Sequence, residues 1–306
     1  MHPVIAFPAL AGMSYPKLDE RHLVRVVPGA DEVSRLPEAE RACVRVLMTS
    51  ASRGCTAELA AALPNLGLVV SQGVGQELID LADLSRRGVE VRSVGEALTD
   101  DVADLAMTLT HMLCRDLIRA DAFVRSGKWR SGRFDVGDSV VGMTIGIAGL
   151  SGRIGQAIAL RAKASRMLVA GLDRPSNAKL GVPLYQSWAD LAAACDVLVL
   201  AVPGTSELKH IIGAEELVAL GPKGRLVNVG RGTLVDTEAL IQALENRTIS
   251  GAALDVLEGE PEIPVRLSAL PNVILSPHIG AQTWGQRARG AKIAEEAVLT
   301  FLESNH

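Results

Sequence analysis

Three polar residues follow short apolar runs in the later part of this 306-residue chain: Arg231 in "LVNVGRGTLVD", Glu260 in "GAALDVLEGEP" and His278 in "VILSPHIGAQT". An arginine offers a planar fork that holds a carboxylate through two N–H groups and polarises a carbonyl beside it. A histidine gains and loses a proton near neutrality, so it serves as an acid or a base. A carboxylate next to that histidine fixes its orientation and favours the charged imidazole. Together the three residue types suit hydride transfer to a 2-keto acid, in which a cation holds the acid group and an acid protonates the oxygen as it gains charge. Singly, each has an ordinary structural explanation; the combination carries the argument.

Such residues act together only if the fold brings their strands side by side with the same polarity. The chain supplies that pattern. Apolar runs at 144–149, 167–172, 196–201, 225–229, 251–255 and 272–276 alternate with helical stretches or loops, which predicts a doubly wound parallel sheet with its ligand at the C-terminal strand ends. The first strand–helix turn, "IGIAGLSGRIGQAIALR", has glycines at Gly149, Gly152 and Gly155. A strand, small residues and a helix start are what a dinucleotide pyrophosphate needs. Gly149, Ser151, Gly152, Arg153, Ile154 and Gly155 are therefore its candidates. About twenty residues on, "VAGLDRPSN" carries both Asp173, which suits a ribose 2′-hydroxyl, and Arg174, which suits a 2′-phosphate. The two residues point to different coenzymes.

Before residue 98, "VRVLMTS", "GLVVS" and "GVEVRSV" alternate with Ala/Leu-rich segments and predict a smaller α/β unit. The segment "TDDVADLAMTLTHMLCRDLIRA" opens the second series, with Thr99 as the expected N-cap and Asp100 and Asp101 in the first turn. Its apolar spacing predicts one buried face made of Val102, Leu105, Ala106, Leu109, Leu113 and Leu117. The tail from Thr283 to Leu302 reads as a long helix with no further strand, free to return to the first unit. "RSGKWRSGRFDVGDSV" is the one long irregular segment.

Composition narrows the function classes. Hydrophobic residues make up 48% and charged residues 22%, and the formal net charge is −4, as expected of a globular protein and not of a nucleic-acid or anionic-membrane binder. No apolar stretch is long enough to span a bilayer, and "MHPVIAFPAL" carries neither a basic leader nor a cleavage site, so a cytoplasmic protein is expected. Cys43, Cys55, Cys114 and Cys195 form no CxxC or Cys/His cluster; they read as packing residues, with no metal site.

With these motifs in order, the chain resembles the D-isomer-specific 2-hydroxyacid dehydrogenases over nearly its whole length. "PNLGLVVSQGVGQELID", "SGKW", "GLSGRIGQAIALR", "ELVALGPKGRLVNVGRGTLVDTEALIQAL", "GAALDVLEGEP" and "NVILSPHIGAQT" all follow that family's pattern. The resemblance implies that Arg231 binds substrate, Glu260 pairs with the histidine and His278 is the acid/base. It further implies that Gly73, Val74 and Gly75 meet the substrate carboxylate through their amides. Asp255 and the Val229 carbonyl would hold the nicotinamide carboxamide, with Val202, Pro203 and Gly280 also on the coenzyme side. The implied fold is α/β, with a Rossmann coenzyme domain (98–282) inserted into a flavodoxin-like substrate domain (1–97 and 283–306). A homodimer is implied as well.

Two departures stand out: Ser151 lengthens the usual glycine turn by one residue, and Gln72 and Gln76 replace aromatic residues common in relatives. "VPG" and "ALGPKGRLVNVGRG" look most like the hydroxypyruvate and glyoxylate reductases, which tilts the coenzyme toward NADP(H), with NAD(H) as the alternative. The other readings are a non-catalytic dinucleotide-sensing relative resembling a corepressor, and a dehydrogenase of a larger 2-hydroxy acid or phosphonate.

Overall fold

Parallel strands covered by helices on both faces must be apolar on both faces, and the central strands here are. The computed structural model describes residues 2–9, 12–73, 75–76 and 78–304. It divides into two compact units, Met1–Leu98 with Gln282–His306, and Thr99–Ala281.

The first unit is built on β1 (Val4–Ala6), β2 (Val24–Val26), β3 (Val46–Thr49), β4 (Leu68–Ser71) and β5 (Glu90–Ser93). They pair in the order β2-β1-β3-β4-β5, all parallel, the flavodoxin-like arrangement. The two-residue period of the strand sorts the core. Val4, Ala6, Val46, Met48, Leu68 and Val70 pack on one face against Ala291, Ala294, Val298 and Leu302; these last belong to the helix Trp284–Ser304. Ile5, Leu47 and Val69 face the other way, onto Leu59, Leu63 and Leu84. The carboxylate of the buried Glu295 accepts from the amides of Lys17 (2.7 Å) and Leu18 (3.3 Å), capping the short helix Pro16–Glu20.

The second unit holds β6 (Thr144–Ala148), β7 (Leu168–Leu172), β8 (Leu184–Tyr185), β9 (Val197–Leu200), β10 (Arg225–Asn228), β11 (Gly251–Leu254) and β12 (Val273–Leu275). The order is β12-β11-β10-β9-β6-β7-β8, the Rossmann arrangement with one further strand at its edge. The direction of winding reverses between β6 and β9, so the crevice for a ligand opens there. The two-residue β8 was not foreseen in the sequence, nor were the three-residue β1 and β2.

Two local expectations fail. Thr99 is not an N-cap: a 3₁₀ turn, Gly95–Leu98, runs straight into the helix Thr99–Arg115, and the Thr99 hydroxyl is buried without a hydrogen-bond partner. Leu117 does not join the buried face of that helix. Asp116 adopts a left-handed φ of 49° and ends the run, and Leu117 starts a new helix with its side chain 52% exposed. The irregular segment after residue 125 is pinned by the Asp138 amide, which donates to the Cys114 carbonyl, and by the Asp138–Arg225 ion pair. Among the described residues no helix is long and apolar enough to cross a membrane.

Candidate active site

Arg231 projects from the loop after β10. Asn228, the last residue of that strand, braces the loop: its Oδ1 accepts from the Gly230 amide at 3.0 Å and its Nδ2 donates to the Arg231 carbonyl at 2.8 Å. The glycines on either side are there because neighbouring backbones leave no room. A Cβ on Gly230 would stand 2.7 Å from the Val202 carbonyl oxygen, and one on Gly232 only 1.9 Å from the Leu257 carbonyl carbon. Gly204 lies under the arginine stem, where a Cβ would come within 2.7 Å of Arg231 Cγ. Three neighbouring strand ends thus stack closely enough to set where the guanidinium starts from.

Glu260 and His278 meet. His278 Nδ1 lies 2.6 Å from Glu260 Oε1, while Glu260 Oε2 accepts from the Leu257 amide at 3.1 Å. Both side chains are partly open to solvent. His278 takes a left-handed backbone, φ 53°, that a β-carbon disfavours, and its loop is held accordingly. Its amide reaches the carbonyls of Asp255 (2.8 Å) and Ser276 (3.0 Å). The buried Asp255 carboxylate does more: Oδ1 accepts from Ser276 Oγ (2.7 Å) and the Ile279 amide (2.8 Å), and Oδ2 from the Gly280 amide (2.8 Å). Asp255, which the resemblance places at the coenzyme, thus also holds the histidine loop. No sequence signal marked these loop contacts.

The glycine turn fits a dinucleotide. Gly149 has φ +88°, and a Cβ on Gly155 would fall 2.1 Å from the Gly149 carbonyl oxygen, which ties helix to strand. The helix Arg153–Ala164 begins after Gly152, an N-cap without a side chain. Its first-turn amides, on Arg153, Ile154 and Gly155, meet no protein acceptor among the described residues, which leaves them for an anion. The added residue, Ser151, donates through Oγ to Ser176 Oγ at 2.9 Å and so joins this turn to the one after β7. There Arg174 Nη1 donates to the Asp173 carbonyl at 3.0 Å, and Asp173 Oδ2 accepts from Gln186 Nε2 at 2.6 Å. Gln186 and Ser176 were missed in the sequence, since neither belongs to a motif.

Val202 and Pro203 follow β9, Val229 follows β10 and Gly280 ends the histidine loop, so all these candidates share one edge of the seven-strand sheet. Gly73 and Gly75 lie after β4 in the first unit, with the Gly73 carbonyl accepting from Ser93 Oγ at 2.7 Å. Val74 lies outside the described residues. Gln72 is buried and donates to Tyr15 Oη at 2.6 Å. Burial pushes that phenol up to about 12.

Comparison with known proteins identifies the family. Residues 107–280 match the family described as D-isomer specific 2-hydroxyacid dehydrogenase, NAD binding domain. Glyoxylate/hydroxypyruvate reductase A of Arabidopsis thaliana is 43% identical over 82% of this chain and 80% of its own length. A glyoxylate reductase of Thermococcus gammatolerans is 39% identical over 93% of this chain and 88% of its own. The NADPH-dependent glyoxylate/hydroxypyruvate reductase of Sinorhizobium meliloti, solved in complex with NADP and malonate, superposes with a TM-score of 0.85 at 35% identity, covering 99% of this chain and 94% of that one.

Proposed function

The protein belongs to the D-isomer-specific 2-hydroxyacid dehydrogenase family, and we propose that it interconverts small 2-keto and 2-hydroxy acids of the glyoxylate and hydroxypyruvate kind, with NADP(H) preferred over NAD(H). It is an oxidoreductase. The observation that carries the reading is the 2.6 Å contact of His278 Nδ1 with Glu260, in the same unit as an open glycine turn.

The coenzyme, when bound, exchanges a hydride with the substrate C2 carbon. Every other task falls to side chains. The Arg231 fork takes the substrate carboxylate and draws charge onto the adjacent carbonyl oxygen. With Nδ1 engaged by Glu260, proton exchange with that oxygen falls to Nε2 of His278, and the glutamate supports the imidazolium before the proton leaves. In the reverse direction the same nitrogen removes the hydroxyl proton. The first-turn amides after Gly152 would receive the pyrophosphate, Arg174 the 2′-phosphate, and Val202, Pro203 and Val229 would lie on the nicotinamide side. We assign the second unit to the coenzyme and the first to the substrate, with Gly73, Val74 and Gly75 as its candidate residues. The names of the reductases from Arabidopsis and Sinorhizobium support the substrate class, and the NADP in the latter supports the coenzyme.

We also propose a cytoplasmic homodimer. Leu117, Ile118, Val124, Trp129 and Val136 are exposed on one stretch of the second unit, more apolar surface than a solvated segment carries without a partner. Loss of NADPH absorbance with glyoxylate or hydroxypyruvate tests the activity, and elution at monomer size would refute the dimer. A protein that oxidises neither NADPH nor NADH with any 2-keto acid would overturn the proposal.

A further inference from the structure

At the end of β7 a carboxylate ordinarily accepts from the ribose hydroxyls of NAD(H) and repels a 2′-phosphate. This chain carries that carboxylate, Asp173, directly before the arginine suited to NADP(H), and the structure shows what becomes of it. Asp173 Oδ2 accepts a hydrogen bond from Gln186 Nε2 at 2.6 Å. The short strand β8 delivers the glutamine: Gly171 pairs with Leu184 and Leu172 with Tyr185, and the Asp173 amide donates to the Tyr185 carbonyl at 2.7 Å. The residue after β8 therefore falls beside Asp173. The rest of the turn is tied back as well. The Asn177 amide donates to the Arg174 carbonyl at 2.8 Å, Asn177 Nδ2 to the Leu172 carbonyl at 2.8 Å, and Ser151 Oγ to Ser176.

We propose that Gln186 is a positioning residue that sets coenzyme preference: by holding one oxygen of the Asp173 carboxylate it competes with the ribose hydroxyls of NAD(H) for that acceptor and weakens the repulsion a 2′-phosphate would meet. A chain with the acidic residue of an NAD site is thereby made to accept NADP(H). The inference rests on the coenzyme reading above and goes beyond it, since Gln186 would act on coenzyme choice through its bond to Asp173.

The test is calorimetric titration of the full-length protein with NADPH and with NADH, so that binding is read without turnover. Gln186→Ala frees the carboxylate. NADH then binds more tightly and NADPH more weakly, shifting the ratio of the two Kd values by about three- to tenfold, the range of one hydrogen bond at a partly solvated site. Gln186→Met, which keeps the length of the side chain without its donor, shifts the ratio the same way. In an Asp173→Asn background neither substitution changes the ratio, a dependence that a merely structural role for Gln186 would not produce. An unchanged ratio in both single variants, or an equal shift with and without Asp173, overturns the inference while leaving the coenzyme site standing. Wild-type protein that binds neither coenzyme overturns the coenzyme reading itself, and this inference with it.

Discussion

Replacing Asp255 by asparagine tests the clamp on the histidine loop with little change of volume. The native carboxylate is 2% exposed and accepts from Ser276 Oγ, the Ile279 amide and the Gly280 amide. Asparagine keeps one acceptor oxygen, enough for the serine and Ile279, and turns an NH₂ toward the Gly280 amide that now donates at 2.8 Å. One charge-assisted bond, worth about 1.5–3 kcal/mol, is lost, and a buried N–H is left facing another donor. The summed destabilisation is about 2–4 kcal/mol, less than the 5–15 kcal/mol typical of whole domains, so the protein still folds. Its Tm falls by roughly 5–12 °C for a unit of this size. The released loop also lets His278 leave its left-handed backbone, and a misplacement of about 1 Å lowers kcat by about a hundredfold. Circular dichroism melts and turnover at saturating coenzyme measure the two effects. A melt within about a degree of wild type would refute the clamp.

His278→Ala lowers turnover by roughly 10²–10⁴-fold, the usual contribution of general acid catalysis, while coenzyme Kd stays at the wild-type value; near-native turnover would remove it from the reaction. Arg231→Lys keeps the charge but not the fork, so kcat/KM falls sharply, and equal activity would mean that a point charge suffices. Thiol labelling of the native protein modifies Cys43 first. Burial raises the thiol pKa of Cys55 and Cys195 to about 12 and that of Cys114 upward too, so these three react only on unfolding.

The doubly wound sheet was legible because its strands are buried on both faces: "VLVL" and the centres of "TIGIA" and "RLVN" are apolar, at strand length between helical stretches. The strands β1, β2 and β8 were not, since two or three residues leave no periodicity to detect. Helical periodicity overran its element at Leu117 because the spacing continues smoothly through Asp116, and only the backbone turn there breaks it. In the site, Arg231, Glu260 and His278 could be singled out by residue type and by their places after strands. The His278–Glu260 contact itself spans 18 residues of sequence and depends on the lateral order of β11 and β12. Gln186 was invisible for a different reason: a glutamine after a weak edge strand has no signature until its partner is known.

The helix Trp284–Ser304 fills one face of the five-strand sheet with Ala291, Ala294, Ala297, Val298 and Leu302. During synthesis, that face emerges from the ribosome long before the segment that covers it. Between Leu98 and Gln282 the whole second unit must be translated, which takes roughly 10–40 s at 5–20 residues per second. The second unit, continuous in sequence, has every strand it needs by Ala281, although the first unit began earlier. Throughout that interval Val4, Val46, Met48, Leu68 and Val70 form an unshielded apolar surface on the nascent chain. The first unit therefore completes its core only once the last segment of the chain has been made.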